Sequence, residues 1–222
     1  VDDNVKLIYE GFGTMNGKDG KPFKTRQGGV LRLEYLIQEI EDKVYEKIME
    51  NRTVEEAEAR ATAKIVGLAA LKYGDLSNQA AKDYVFDIDR FTSFEGDTGP
   101  YILYTIVRIK SILAKYKENS GDIESALDAI SSPVNESEKQ LMMELAKFNT
   151  SMEAAYEETA PHKVCSYIYD LANAFNHFYH ETKILTEEDE AKKAGWIALL
   201  ALTRDVLETC ADLLGFKVPE RM

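Results

Sequence analysis

Basic residues cluster in one short stretch of an otherwise acidic chain. Residues 17–32 hold five cations and one acid, so their local charge is 5 − 1 = +4, whereas the 222 residues together carry a formal net charge of −12. Glycines flank the cations, which is typical of a mobile loop that presents ammonium and guanidinium groups to phosphate oxygens. A solvated basic turn explains the same composition, because no Walker-type spacing accompanies it. Both interpretations stay open for the five cations, which are Lys18, Lys21, Lys24, Arg26 and Arg32.

A second basic stretch lies between residues 104 and 117, which contain four cations and no acid. Tyrosines are interleaved with these cations. The combination suits RNA, because aromatic rings stack on unpaired bases while Lys and Arg contact the phosphates. An ordinary amphipathic helix explains the pattern nearly as well. The residues concerned are Tyr101, Tyr104, Arg108, Lys110, Lys115, Tyr116 and Lys117.

Few other residues are spaced for chemistry. His162, His177 and His180 fall on one predicted helix, but no cysteine or carboxylate pattern completes a metal site around them, so we expect none. Cys165 and Cys210 stand 45 positions apart, and we interpret both as small buried hydrophobes. The sequence contains no CxxC pair, nucleophile elbow or Ser-His-Asp order. A self-contained hydrolase or redox enzyme therefore has no support.

The composition indicates a globular protein. Hydrophobic residues make up 45% of the chain, which is enough for a core, and no stretch approaches the roughly 18 consecutive apolar residues of a membrane span. The first residues lack the basic-then-apolar layout of a secretory signal, so we expect a cytoplasmic protein. The net charge of −12 argues against nucleic acid for the chain as a whole, because phosphates attract Lys and Arg. The two basic stretches are the local exceptions.

Hydrophobic periodicity predicts the elements that position these residues. Val5 to Gly13 alternates apolar and polar side chains as a half-buried strand does, and the Gly-rich run at 17–22 predicts a turn. A second helix is expected from an N-cap at Thr53 to about residue 73, followed by an extended linker at 83–94. A first helix precedes it and carries on one face Leu33, Leu36, Ile40, Val44 and Ile48.

Helices are expected to dominate the remainder of the chain. One begins at Gly99-Pro100, because Pro is tolerated at the first helical position, and another begins at Pro161. The last begins near Thr186, where a capping hydroxyl and the acids that follow suit the positive end of a helix dipole. We therefore predict a mainly α protein with three parts. A small α/β remnant covers 1–32, a helical connecting segment covers 33–95, and a helical bundle covers 96–222.

Separated strings of this sequence resemble one family, the arginyl-tRNA synthetases. FGTMNGKDGKPFKTRQGG at 12–29 is similar to the end of their class I catalytic domain, and so is the block from 64 to 110. YIYDLANAFNHFYHETKIL at 167–185 and LLGFKVPERM at 213–222 resemble their anticodon-binding bundle. That bundle is named DALR after a short string, which here reads EAKK at 190–193. The resemblance covers essentially the whole chain and implies that the bundle follows a remnant of a class I Rossmann catalytic domain.

The resemblance implies an arginine-tRNA ligase, which joins arginine to its tRNA through an arginyl-adenylate and uses ATP with Mg²⁺. The family's KMSKS loop acts on the ATP phosphates and matches PFKTR at 22–26, where Pro22 replaces the first lysine. Lys21, Lys24 and Arg26 are the expected catalytic cations. Charge builds on the α-phosphate and the departing pyrophosphate, and cations placed there in advance stabilise the transition state.

The same resemblance implies which residues face the tRNA. GDTGPYILYTIVRI at 96–109 is similar to the family's GDTGPYLQYAHARI, with Leu103 and Ile106 in place of Gln and His. We expect a monomer that binds the anticodon side of arginine tRNA and has no membrane partner. The alternative is an acidic helical bundle that docks protein partners without binding RNA. The expected tRNA-binding residues are Tyr84, Phe86, Arg90, Tyr101, Tyr104, Arg108, Tyr167, Asn176, Tyr179 and Met222.

We expect the 222 residues to be a C-terminal fragment, because the family's HIGH-type motif and arginine pocket have no counterpart in them. Half an active site cannot activate arginine. The purified 222-residue chain is therefore predicted to give no pyrophosphate exchange with arginine, ATP and tRNA. The measurement is incorporation of labelled pyrophosphate into ATP, and exchange above a protein-free blank contradicts the prediction.

Overall fold

Helices dominate the structure, as the sequence predicts. It is a computed structural model that describes residues 7–22, 32–51, 55–119 and 122–222. Within these ranges the only ladder of paired strands is a two-stranded one. The prediction of a mainly α protein is confirmed.

The first two helices pack against each other. Helix α1 spans Leu33–Asn51 and α2 spans Glu56–Leu76. The apolar stripe predicted for α1 is confirmed at Leu36, Ile40 and Val44, which are buried, and Ile48 is half-buried. It is wrong at Leu33, which is 62% exposed at the first residue of the helix. The cap predicted at Thr53 lies outside the described residues. Acidic side chains do occupy the first turn of α2, where the helix dipole favours negative charge.

The segment between α2 and the bundle is only partly the extended linker that periodicity predicts. Strand β1, Met15–Asn16, pairs in parallel with β2, Tyr84–Val85, and the short helix α3 follows at Ile88–Phe91. The carboxylate of Asp87 caps α3 by accepting hydrogen bonds from two backbone N–H groups. This local capping explains why a helical turn interrupts the linker.

The strand predicted at Val5 to Gly13 is wrong for residues 7–13, which have no strand structure. Alternation alone does not form a strand, because each backbone group needs a ladder partner. Of these residues, Gly13 donates its N–H to the carbonyl of Ala80, and pairing begins only at β1. The turn predicted at 17–22 is confirmed, since Gly17 and Gly20 close it with hydrogen bonds and Gly20 has a φ of 71°.

The bundle begins with α4, Gly99–Glu118, at the residue that Pro100 predicts. The hydroxyl of Thr98 caps it by accepting from the N–H of Tyr101 at 3.2 Å. Shorter elements follow and pack on the later helices of the bundle. They are α5 at Ile123–Ala126, a 3₁₀ turn at Leu127–Ala129, α6 at Glu136–Ala146 and α7 at Phe148–Glu157.

The two long C-terminal helices are α8, Pro161–Glu181, and α9, Glu190–Leu213. The start predicted at Thr186 is wrong, because this residue lies in a 3₁₀ turn and α9 begins four residues later. Asp189 is the cap, and its carboxylate accepts from the N–H groups of Ala191 and Lys192. An ionised carboxylate is a stronger acceptor for these N–H groups than a hydroxyl.

The core lies where α4, α8 and α9 meet, with α2 packed on α4 and α8. Its largest fully buried side chains include Ile106, Phe175, Phe178 and Ile197. Both cysteines are free and buried, as predicted, and burial raises the pKa of each thiol to about 12. None of the described helices combines the length and apolarity needed to cross a membrane.

A glycine at the start of α4 sets how closely this helix approaches α2. A Cβ at Gly99 would lie 2.4 Å from the carbonyl oxygen of Ala69, a backbone atom that cannot turn aside. We predict that Gly99→Ala destabilises the protein by about 1–3 kcal/mol, although alanine is the better helix former. Urea unfolding followed by circular dichroism measures the loss. Gly11→Ala is the control, because no atom lies within 4 Å of that Cβ, and equal losses for both variants would contradict the close approach.

Candidate nucleic-acid interface

A groove of about 770 Å³ runs between α4 and α8 on one side and α1 with the segment after α3 on the other. Aromatic and polar side chains line it, and Arg108 contributes the guanidinium group. The groove brings together five of the residues that sequence resemblance predicts to face the tRNA. These are Tyr101, Tyr104, Arg108, Asn176 and Met222.

One asparagine organises the wall formed by α4 and α8. The amide nitrogen of Asn176 donates to the hydroxyls of Tyr101 at 2.9 Å and Thr105 at 3.0 Å. Its carbonyl oxygen accepts from Arg108 at 2.6 Å. The hydroxyl of Tyr101 in turn donates to Asn173 at 2.7 Å. Every hydrogen of the Asn176 amide is used, so aspartate at this position would accept from Arg108 but lose two donors.

Arg108 is held between two aromatic rings. Its guanidinium carbon lies 4.7 Å from the centroid of the Tyr104 ring and 5.2 Å from that of Tyr179. Tyr179 is exposed and also stacks on Phe175 at 6.0 Å. A planar cation fixed on ring faces keeps its remaining N–H groups directed outward for phosphate or base acceptors. The wall therefore offers a preorganised cation beside rings that can stack.

The opposite wall contains residues that sequence reasoning missed, above all Lys47 and Phe94. Lys47 donates to the carbonyl of Thr92 at 2.9 Å and to its hydroxyl at 3.3 Å, and burial followed by the nearby Lys43 lowers the pKa of its ammonium. No local signal marked these residues, because Lys47 lies in an acid-rich helix and Phe94 in a segment without a period. Only the tertiary fold places them opposite Arg108.

Four predicted tRNA-facing residues lie away from the groove. Tyr84 donates its hydroxyl to Asp75 at 2.5 Å, and Phe86 is buried with its ring edge-on to Phe91. Arg90 is exposed on α3. Tyr167 is buried against Phe148 with ring centroids 6.0 Å apart, so its ring is not available for stacking on a base. Tyr167 and Asn176 are nine residues apart, which is two and a half helical turns, so they point to opposite faces of α8.

The basic loop is only partly free to bind phosphate. Lys18 lies 3.1 Å from the carboxylates of both Asp87 and Asp89, so two acids of the connecting segment neutralise it. Lys21 is exposed, and its backbone is fixed by a hydrogen bond from its N–H to Asp19 at 3.1 Å. The other two predicted catalytic cations, Lys24 and Arg26, lie outside the described residues. Of the three predicted catalytic cations, Lys21 lies within the described residues, and its ammonium group is accessible.

The described residues hold no group of three or more His, Cys, Asp or Glu side chains placed to bind a metal ion. His177 and His180 are exposed on α8, and His177 pairs with Glu181 at 3.6 Å when protonated.

Comparison with known proteins is consistent with this arrangement. Residues 102–222 match the DALR anticodon binding domain, and residues 1–88 match the catalytic domain of class I tRNA synthetases of the arginine type. The arginine–tRNA ligase of Agathobacter rectalis is 64% identical over 228 aligned residues, and that of Alkaliphilus oremlandii is 56% identical over 220. These alignments cover 100% and 99% of this chain but only 38% and 37% of the relatives.

A solved structure shares the fold over the whole chain. The crystal structure of arginyl-tRNA synthetase from Plasmodium falciparum superimposes with a TM-score of 0.81 at 26% sequence identity. The superposition covers 100% of this chain and 36% of that one. The chain thus spans a little over a third of the length of the proteins that it matches.

The Asn176 network yields a prediction about stability. Asn176→Ala leaves Arg108 without its acceptor and Tyr101 without a donor, so we expect a loss of about 1–3 kcal/mol in the free energy of unfolding. Asn173→Ala is the matched control on the same face of α8, because it removes a single hydrogen bond and should cost less. Urea unfolding of both variants measures the difference. A loss for Asn173→Ala as large as that for Asn176→Ala is incompatible with the network.

The contact of the basic loop with the connecting segment yields a prediction about pH. Hydrogen bonding to Lys18 lowers the pKa of Asp89 in the folded protein below its ordinary value of 3.8. The ionised carboxylate therefore stabilises the folded state at pH values above 3.8. This stabilisation is lost as the pH falls through the pKa that Asp89 has in the folded protein. Asp89→Asn should therefore destabilise the protein at pH 7, and its difference from wild type should shrink towards pH 3. Urea unfolding at both pH values tests this. The exposed Asp212 of α9 supplies the control Asp212→Asn, and the same pH-dependent difference there would refute a specific role of Asp89.

Proposed function

The chain belongs to the family of the DALR anticodon binding domain, as found in the C-terminal region of arginyl-tRNA synthetases, and on that premise we propose that its groove binds the anticodon side of arginine tRNA. The observation that supports this proposal best is the fixed Arg108 between Tyr104 and Tyr179 at the edge of the groove. Unpaired bases of an anticodon loop need flat apolar faces, and the adjoining phosphates need cations. The groove offers both within one surface.

The residues around Arg108 divide into two roles in this proposal. Tyr179 is exposed, Tyr104 and Arg108 are half-buried at the groove, and these three are the residues that would contact the RNA. Tyr101 and Asn176 use their polar atoms within the protein, and they hold Arg108 in place for that contact. An arginine immobilised before binding loses little conformational entropy when it meets the RNA.

The whole-protein activity that we propose is ATP-dependent ligation of arginine to its tRNA, with ATP, Mg²⁺ and arginine as the other reactants. The accessible ammonium of Lys21 suits a phosphate oxygen, whereas Lys18 is already paired with two carboxylates. In this proposal Lys21, together with Lys24 and Arg26, holds the phosphates of ATP so that charge developing on the departing pyrophosphate meets cations. The part of the chain that matches the catalytic domain supplies these cations.

An exposed apolar segment favours a second candidate function, the docking of a protein surface. Leu7, Tyr9 and Phe12 are each at least 87% exposed, although large apolar side chains normally avoid water. None of the three is among the residues that line the groove. If the chain binds no RNA, this acidic interaction module is the function that remains.

The groove proposal predicts the effect of one substitution on RNA affinity. Arg108→Ala should weaken binding of an arginine tRNA anticodon stem-loop by about 10- to 30-fold. The substitution removes a fixed cation, and the rings of Tyr104 and Tyr179 lose the guanidinium that lies between them. Fluorescence anisotropy at two salt concentrations measures the affinity and its salt dependence. Binding should also weaken when the anticodon bases are changed.

The chain offers a matched control for Arg108. Arg60 on α2 also lies over a tyrosine ring, with its guanidinium carbon 4.3 Å from the centroid of Tyr45, but it lies outside the groove. Arg60→Ala should leave the affinity within about twofold of wild type. Equal losses for the two variants, or binding that ignores the anticodon sequence, would overturn the proposal.

A further inference from the structure

The chain after α9 returns to the groove. Gly215 ends the helix with a φ of 76°, and its carbonyl accepts a hydrogen bond from the ammonium of Lys72 on α2. Phe216 is buried at 3% exposure and Pro219 is also buried. Met222 then lines the groove beside Tyr101 and Tyr104. Residues 216–222, which we call the tail, are therefore held on the bundle at Phe216 and Pro219 and reach the groove at Met222.

Lys110 is the polar residue that fastens the tail. It lies on α4 two positions after Arg108, and its ammonium is 2.9 Å from the carboxylate of Glu208 on α9 and 2.9 Å from that of Glu220 in the tail. Its side chain is only 19% exposed. Burial lowers the pKa of Lys110, but the two carboxylates outweigh burial and raise it overall. The lysine is thus charged at any physiological pH.

We infer that Lys110 is a positioning residue for the groove, which holds Glu220 so that Met222 stays against the rings of α4. The inference rests on the proposed function, since it assigns to Lys110 an indirect part in RNA binding. Lys110 is one of the cations in residues 104–117, whose composition suits either RNA contact or an ordinary amphipathic helix. Its ammonium is instead occupied by two protein carboxylates, so its influence on RNA passes through the tail.

The contact between Lys110 and Glu208 explains how the exposed pair between Lys110 and Glu220 can hold the tail. Glu220 is 86% exposed, and an isolated ion pair of that kind contributes little, because fixing two long side chains costs entropy. Glu208 is less exposed, at 34%, and already fixes the ammonium of Lys110. Glu220 therefore meets a cation that is held in place. The neighbouring pair between Arg221 and Glu58 is longer, at 3.9 Å, and 85% exposed at the arginine, so it holds the tail less firmly.

The first test measures the tail without RNA. The chain contains six methionines, and Met222 lines the groove together with Phe94, Tyr101 and Tyr104, whose rings are expected to shift the NMR frequency of its methyl group. In Lys110→Met and in Glu220→Gln the Met222 methyl resonance should move towards the position of a free methionine, while the five other native methionines stay in place. Lys110→Met adds one methyl resonance of its own, which is recognised by its absence from Glu220→Gln. Lys115→Met is the control, because Lys115 is an exposed cation further along the same helix. Lys110→Arg keeps the charge and should retain most of the shift.

The second test measures affinity for the arginine tRNA anticodon stem-loop. Lys110→Met and Glu220→Gln should each weaken binding about three- to tenfold, and the double variant should weaken it no further, because both break one contact. Glu220→Gln best separates a positioning role from a simple charge effect. It removes a negative charge, so it would strengthen RNA binding if only the net charge of the protein mattered. An unmoved Met222 resonance, or losses for Lys110→Met no larger than for Lys115→Met, overturns the positioning role.

The two tests separate this inference from the proposed function. If wild type binds the stem-loop in an anticodon-dependent way but Lys110→Met behaves like Lys115→Met, the positioning role fails and the proposed function stands. If wild type binds no stem-loop, the proposed function fails and the positioning role falls with it, even where the Met222 resonance responds to Lys110→Met.

Discussion

The groove depends on keeping one partly buried guanidinium in a fixed place. Arg108 would be costly to bury without a partner, and the carbonyl of Asn176 at 2.6 Å provides one from the neighbouring helix. That bond also fixes the direction of the Asn176 amide, whose two hydrogens then reach Tyr101 and Thr105. A single contact between α4 and α8 thereby orients a cation, two rings and the hydroxyls between them. The packing of these helices on α9 is what keeps the two partners at bonding distance.

The distribution of charge explains how an acidic chain can keep one cation without a carboxylate partner. Several lysines that composition would assign to phosphate are bound to carboxylates of the protein itself, as Lys18 is to Asp87 and Lys110 is to Glu208. Arg108 differs, because its partners are a neutral amide and aromatic rings. Among the described residues it forms no ion pair within 4.0 Å, although the carboxylates of Glu50 and Glu95 also line the groove. Whether a cation has a carboxylate within reach decides its availability more than the number of cations in the stretch.

Sequence reasoning succeeded where the signal is local. The stripe of α1, the proline starts of α4 and α8 and the burial of both cysteines follow from periodicity and from the chemistry of one residue. The spacing of Tyr101, Tyr104 and Arg108 also puts them near one face of a helix. The nine-residue spacing of Tyr167 and Asn176 already carried the information that they face apart, although an aromatic-rich string suggests a common wall.

The remaining differences arise from contacts between distant parts of the chain. The strand expected at Val5 to Gly13 fails over 7–13 because alternation does not supply a partner strand. The pairing of Lys110 with Glu220 joins residues 110 positions apart, and no local pattern reports it. The same holds for Lys47, which faces Arg108 across the groove only because α1 packs on α2 and α2 on α4. Local rules thus predict the helices, whereas the tertiary fold determines which charges are free.

The hydroxyl of Tyr73 links the two matched regions mechanically. It projects from α2 and lies 2.6 Å from the carboxylate of Asp97, just before α4, and 2.9 Å from the carbonyl of Cys165 in α8. Burial raises the pKa of this phenol far above its ordinary value, so it stays neutral and keeps the one proton that the two acceptors share. A shift of α2 relative to the bundle would leave the buried hydroxyl of Tyr73 without its hydrogen-bond acceptors, at a cost of about 1–3 kcal/mol in the free energy of folding. One hydroxyl of α2, in the region that matches the catalytic domain, thus contacts both the entry to α4 and the backbone of α8, the two helices that form one wall of the groove.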